Sequence, residues 1–150
     1  MFLLVKLIIG AFMIGLTVTI HAFVYDWVLK FVAKQAASYA KIFGLIWKVP
    51  LLITVVIMIG AALMLDIWLW AFLFMTVDPA VLDGVEKALY FATTCFTTIG
   101  FGDIVLDEDW RILSTVIAIN GMLLFGWSTA FLFEIMAKLY EEENNIKKRW

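Results

Sequence analysis

The chain has 150 residues, of which 65% are hydrophobic and 16% charged, with a formal net charge of −2. A water-soluble domain of this length needs a surface roughly twice as dense in charge, so composition excludes an ordinary soluble fold and indicates one compact domain inside a bilayer. The single cysteine, Cys95, excludes an intrachain disulfide, and neither a Cys/His cluster for a metal nor a phosphate-binding glycine loop is present.

Three apolar runs, residues 2–25, 50–75 and 111–137, each exceed the about 20 residues of helix that a hydrocarbon core requires. The first is read as an N-terminal transmembrane helix over 1–25 and not as a cleaved leader. Its apolar stretch outruns a signal-peptide core, and no small-x-small site follows "VTIHAFVYD". In residues 26–48 the cations Lys30, Lys34, Lys41 and Lys48 project onto a stripe roughly 40° wide at about 100° per residue. With Trp27 and Trp47 near its ends, this segment predicts an amphipathic cytoplasmic helix lying in the membrane interface, its lysines toward water and anionic lipid headgroups. Prolongation of the first span is the alternative.

Charge is unevenly placed. With three spans, those four lysines share a side with Lys138, Lys147, Lys148 and Arg149, whereas residues 76–110 carry Asp78, Asp83, Glu86, Asp103, Asp107, Glu108 and Asp109 against Lys87 alone. Cytoplasmic loops are enriched in Lys and Arg, so the N-terminus is expected outside, the C-terminus in the cytoplasm, and the outer face acidic.

Residues 84–96, "GVEKALYFATTCF", are too few to cross a bilayer and too apolar for a solvated loop. Asp83 followed by Glu86 predicts a capping box that starts a short helix. In "TTIGFGD", Thr97 to Asp103, two glycines then interrupt any regular element. A short helix and a glycine-broken strand between two spans describe a re-entrant loop, and irregular backbone survives at that depth only when buried in protein or lining a watery path. If several chains present this loop around one axis, the carbonyls of Thr98, Ile99, Gly100 and Phe101, with the Thr98 hydroxyl, can replace the water around a dehydrated cation. Left-handed backbone at glycine would let consecutive carbonyls point inward instead of alternating as in a strand.

The same residues resemble the selectivity filter of potassium channels. Five of the seven positions are the Thr-Thr-x-Gly-x-Gly-Asp set, with a short apolar helix before and a spanning helix after. The resemblance covers about residues 50–140. It implies an all-α membrane protein with three transmembrane helices, a re-entrant pore helix and a selectivity-filter loop, closed as a homotetramer. The pore module occupies 49–140, with outer helix 50–75, pore helix 84–96, filter 97–103 and inner helix 111–137, and a short cytoplasmic tail follows at 141–150. It implies K+ bound at Thr98, Ile99, Gly100 and Phe101, supported by Thr97, Gly102 and Asp103 and by Tyr90, Phe91 and Thr94 of the pore helix. Phe101 stands where many members have Tyr, and Tyr90 and Phe91 stand at cuff positions that are often Trp. Thr94 replaces a Glu that pairs with the filter acid in several prokaryotic members. Asp107, Glu108 and Asp109 would raise the cation concentration at the outer mouth.

On the inner helix, Gly121 and Gly126 are open to two readings: a bending point near Gly121, implied by the resemblance, or close packing, with Gly126 and Ala130 as a small-xxx-small pair. Met122, Phe125, Thr129 and Phe133 share one face. The resemblance makes that face the cavity lining and Phe133 a hydrophobic constriction; plain helix packing is the alternative. Asp66, a carboxylate within a span, is read as hydrogen-bonded to the pore helix or to Trp indoles, with proton sensing as the alternative. His21 reads as an interfacial polar residue, Cys95 as pore-helix packing, and Glu134 as a partner of Lys138 or part of a ring at the inner mouth. The expected function is passive, potassium-selective conduction across a plasma membrane, that of a prokaryotic cell. No enzyme activity, no cofactor beyond the permeant K+, no nucleic acid and no soluble partner is expected. The alternatives are a cation-transporter subunit with a degenerate filter and a non-conducting membrane scaffold.

Overall fold

The structure is a computed structural model that describes residues 2–147. It consists of α1 (Phe2–Phe43), a 3-10 turn (Gly44–Ile46), α2 (Lys48–Val77), α3 (Val85–Phe96) and α4 (Ile112–Lys147), with no strand among the described residues. Residues 148–150, and with them Lys148 and Arg149 of the basic side, lie outside the described residues. α1, α2 and α4 supply three helices long and apolar enough to cross a membrane, so the architecture is the expected all-helical one. The 12-residue α3 reaches only about 18 Å at ~1.5 Å per residue, short of a hydrocarbon core of about 30 Å.

Several boundaries differ from the sequence reading. α1 continues unbroken through residues 25 and 26, because its hydrogen-bond ladder meets no proline and no glycine between Gly15 and Gly44. Gly44 then takes a φ of +57°, the left-handed value at which helices commonly end. The lysine-bearing segment is therefore the second half of the first helix and not a separate element. Lys30, Lys34 and Lys41 are exposed on it, whereas Lys48 belongs to α2, where it pairs with Glu143 and lies 4.1 Å from the centroid of the Tyr140 ring. Pro50 falls in the first turn of α2, where its missing N–H costs no helical hydrogen bond. α4 runs on to Lys147, so most of the expected tail is helix. The capping box is absent: extended Gly84 occupies the N-cap of α3, no side chain caps it, and Asp83 instead accepts a hydrogen bond from Lys87 at 3.3 Å.

Contacts group into two units, one of residues 1–20 with Leu63–Phe125, the other of His21–Ala62 with the chain from Gly126 onward. In the first unit Trp70 and Phe74 of α2, Phe91 and Phe96 of α3, and Leu113, Ile117 and Leu124 of α4 form one buried cluster. Phe74 and Phe91 meet edge to face at 5.1 Å. Lys6 reaches Asp109 at 3.5 Å and Thr17 meets Asn120, both pairs 103 residues apart, so α1 advances in parallel with the chain entering α4. In the second unit Tyr25 stacks on Phe131 at 4.1 Å and shares a 2.8 Å hydrogen bond with Ser128, again 103 residues away. There Tyr39 also meets Thr54 of α2 at 3.2 Å.

The loop that carries the chain from α2 to α3 is tied to the one that enters α4 by Asp78, which is buried. Its Oδ1 accepts the Val81 N–H at 3.3 Å and its Oδ2 the Asp107 N–H at 2.9 Å. The Asp-Pro pair at 78–79 places this carboxylate at a turn that uses side-chain acceptors. Asp78→Ala leaves two N–H groups without their acceptor and is expected to cost about 1–3 kcal/mol. The measurement is the thermal midpoint of the purified protein in detergent; an unchanged midpoint would contradict the role given to this side chain.

Candidate functional site

The candidate site is built on the C-terminal end of α3. The Thr97 N–H and hydroxyl both donate to the Thr93 carbonyl, at 3.0 and 2.7 Å. Thr98 N–H donates to the Cys95 carbonyl at 3.0 Å, and Gly100 N–H returns to the Thr94 carbonyl at 3.1 Å. The last carbonyls of the helix are thus satisfied by the loop that leaves it, which fixes the direction of that loop. Along it, Thr98, Gly100 and Gly102 have φ of 62°, 52° and 77°. Every second residue is left-handed.

At the two glycines this conformation carries no Cβ penalty. A Cβ built on either would meet no atom within 4 Å, so the glycines are needed for backbone conformation and not for space. Thr98 takes the same backbone while carrying a side chain. A residue with a Cβ pays about 1–2 kcal/mol there, and nothing in its type signals the role. Ile99 and Phe101 are 57% and 67% exposed, so their own chain leaves the loop's side chains uncovered.

Asp103 finds its partner on α3 one turn before Thr94, the position that the resemblance implies for it. The Tyr90 hydroxyl donates to Asp103 Oδ2 at 2.8 Å, and the Tyr90 and Phe101 rings lie nearly parallel, 9° apart, at 6.5 Å. Thr94 supplies its carbonyl to Gly100, while its hydroxyl bonds the Phe91 carbonyl at 3.0 Å. Phe91 points away from Tyr90 into the core against Phe74 and lines a cavity of about 180 Å³ behind the loop, with Thr94, Cys95, Gly100, Gly102 and Ser114. Burial pushes the Cys95 thiol up to about 11, which favours its protonated form at neutral pH.

Of the three acids beyond the loop, Asp109 pairs with Lys6 and Glu108 lies 3.8 Å from Arg111. The carbonyl of Asp107 accepts the N–H groups of Trp110 and Arg111. On α4 a Cβ at Gly121 would fall 1.9 Å from the Phe96 carbonyl oxygen, so this glycine permits the helix to touch the end of α3. α4 is continuous through Gly121 and Gly126, and nothing lies within 4 Å of a Cβ at Gly126. Met122, Phe125, Thr129 and Phe133 all fall on exposed positions of α4, and Phe125 also meets Phe96 edge to face at 5.5 Å. Glu134 pairs with Lys138 at 2.8 Å.

Asp66 is fully buried, and the indole N–H of Trp70, one turn on, finds no acceptor among the described residues. His21 is fully buried within the chain as well, edge-on to Tyr25 at 5.4 Å. Sequence reasoning also missed the Thr17–Asn120 pair, whose partners are too far apart in the chain for any local pattern to connect them.

A family model described as ion channel matches residues 52–138, more than half of the chain. No curated protein and no solved structure matches it.

The Tyr90 phenol is held above its ordinary 10.0, first by its hydrogen bond to Asp103, then by partial desolvation and by the negative charge of that carboxylate. A pKa raised by folding means that the contact's contribution is whole below the ordinary phenol value and is lost as pH rises through the raised one. An absorbance titration of wild type minus Tyr90→Phe is expected to show a phenol ionising above 10.0, displaced downward in Asp103→Asn. A difference curve centred at the ordinary value in wild type would contradict the contact.

Proposed function

The chain belongs to the ion channel family, and we propose that it is a potassium-selective channel that passes K+ down its gradient through a pore made by four identical chains. One observation carries this reading: the alternation of left-handed residues at Thr98, Gly100 and Gly102 inside the sequence TTIGFGD. In an ordinary strand successive carbonyls point to opposite sides, and placing every second residue in the left-handed region turns them to one side. Four such loops around an axis bring rings of carbonyl oxygen from Thr98, Ile99, Gly100 and Phe101, with the Thr98 hydroxyl below them, in place of the hydration shell of K+. Single-file sites occupied by mutually repelling ions keep throughput high despite close coordination.

Fourfold closure is supported by the arithmetic of one loop per chain and by the exposure of Ile99 and Phe101. In this arrangement Tyr90 holds Asp103 and braces the outer end of the filter, in place of the Glu–Asp pair of related channels. Asp107 and Glu108 lend negative potential to the outer mouth. The face of Met122, Phe125, Thr129 and Phe133 lines the inner cavity, with Phe133 as its constriction, and Lys30, Lys34 and Lys41 lie at anionic headgroups on the cytoplasmic side.

In liposomes the purified protein is expected to pass K+ well above Na+, and Gly100→Ala is expected to abolish flux while the assembly stays intact. Equal Na+ and K+ flux in wild type would overturn the selectivity, and undiminished flux in Gly100→Ala would overturn the assignment of the filter.

A further inference from the structure

α1 precedes the part of the chain that matches the family, which begins at residue 52. In the first unit Gly10 and Thr17 lie against Val116 and Asn120, on the segment of α4 that touches the end of α3. Thr17 and Asn120 are both fully buried. The Asn120 amide donates to Thr17 Oγ1 at 3.0 Å, and the same hydroxyl donates to the Met13 carbonyl at 3.0 Å. Two turns earlier on α1, Gly10 allows close approach, since a Cβ there would fall 2.8 Å from Val116 Cγ1. Asn120 and Gly121 are neighbours about 100° apart around α4, so the residue held by α1 sits beside the one whose backbone abuts the Phe96 carbonyl. Phe96 ends α3, and the filter begins at the next residue.

We propose that α1 is a constitutive part of the permeation unit and that Thr17 is a positioning residue for the filter, acting through Asn120, Gly121 and Phe96. The inference rests on the potassium-channel reading above and adds to it an element outside the matched region. An asparagine amide in a membrane span is costly without a partner, so α1 cannot withdraw from α4 without stranding Asn120. With Asn120 fixed on one side and Gly121 pressed on the end of α3 on the other, α4 can neither turn about its axis nor slide without disturbing one of the two contacts. Coordination by carbonyl rings depends on the placement of each loop relative to its neighbours. A small displacement of Phe96 therefore weakens discrimination between K+ and Na+ before it stops ion flow.

The test is the reversal potential of the full-length protein in planar bilayers with K+ on one side and Na+ on the other, alongside the fraction of protein that assembles. Thr17→Val is expected to lower the K+ over Na+ permeability ratio by about three- to tenfold, the range that corresponds to one interhelical hydrogen bond in a membrane. Thr17→Ser, which keeps the hydroxyl, is expected to retain the wild-type ratio. A merely structural tie would reduce the assembled fraction and leave the ratio of the surviving channels untouched, and that result would overturn the proposal. Should Thr17→Val fail to assemble, Gly10→Ala decides, because its added methyl pushes α1 from α4 without removing a polar group: a lowered ratio supports the proposal and a wild-type ratio overturns it. A wild type that does not distinguish the two ions overturns the underlying reading of K+ selectivity; a selective wild type with equally selective variants overturns the role of α1 alone.

Discussion

Holding three alternate residues, Thr98, Gly100 and Gly102, at positive φ imposes demands on everything around them. A loop in that conformation forms neither a helical nor a strand ladder, so its N–H groups need acceptors of another kind. α3 supplies them from its own last turn, where the carbonyls of Thr93, Thr94 and Cys95 accept from Thr97, Gly100 and Thr98. The helix has to end at Phe96 for those carbonyls to be available. Its end has to be held still, and the missing side chain of Gly121 lets α4 do so. Tyr90 fastens the far end of the loop through Asp103.

The forces that hold these parts are not those of a soluble core. Lipid tails are as apolar as leucine, so apolar burial between spans contributes little net driving force, and close backbone approach with interhelical hydrogen bonds takes its place. The two glycines at close helix contacts, Gly10 and Gly121, lie in the first unit, together with the buried Thr17–Asn120 pair. In the second unit Tyr25 plays the comparable part through Ser128 and Phe131. Polar side chains in these spans therefore act as fasteners, and their fixed separation of 103 residues in the chain records the parallel course of α1 and α4.

Much of the fold is legible in the sequence because length and apolarity alone decide whether a helix can span a bilayer, and both are sums over many residues. The three spans and the short α3 follow from that, whereas the need for glycine in TTIGFGD follows from glycine's access to the left-handed region. Features set by one residue or by distant partners are not legible in the same way. The lysine stripe of 30, 34 and 41 looks like a separate surface helix, yet no residue near 25 stops the helix before it. Asp83 and Glu86 have capping-box spacing, but the helix starts one residue too late for them to close it. Thr98 adopts a conformation its residue type does not advertise, and the pairing of Tyr90 with Asp103 depends on the path of the intervening loop. His21 reads as a polar residue near a membrane surface and is fully buried within the chain, because packing and not residue type decides its burial.

The most direct measurement is an electron cryomicroscopy map of the protein in a lipid disc with K+ present. The account predicts four chains around one axis, with a row of density peaks on that axis level with the carbonyls of Thr98, Ile99, Gly100 and Phe101. A monomer, or a fourfold assembly whose carbonyls at those residues face away from an axis with no density on it, would contradict it.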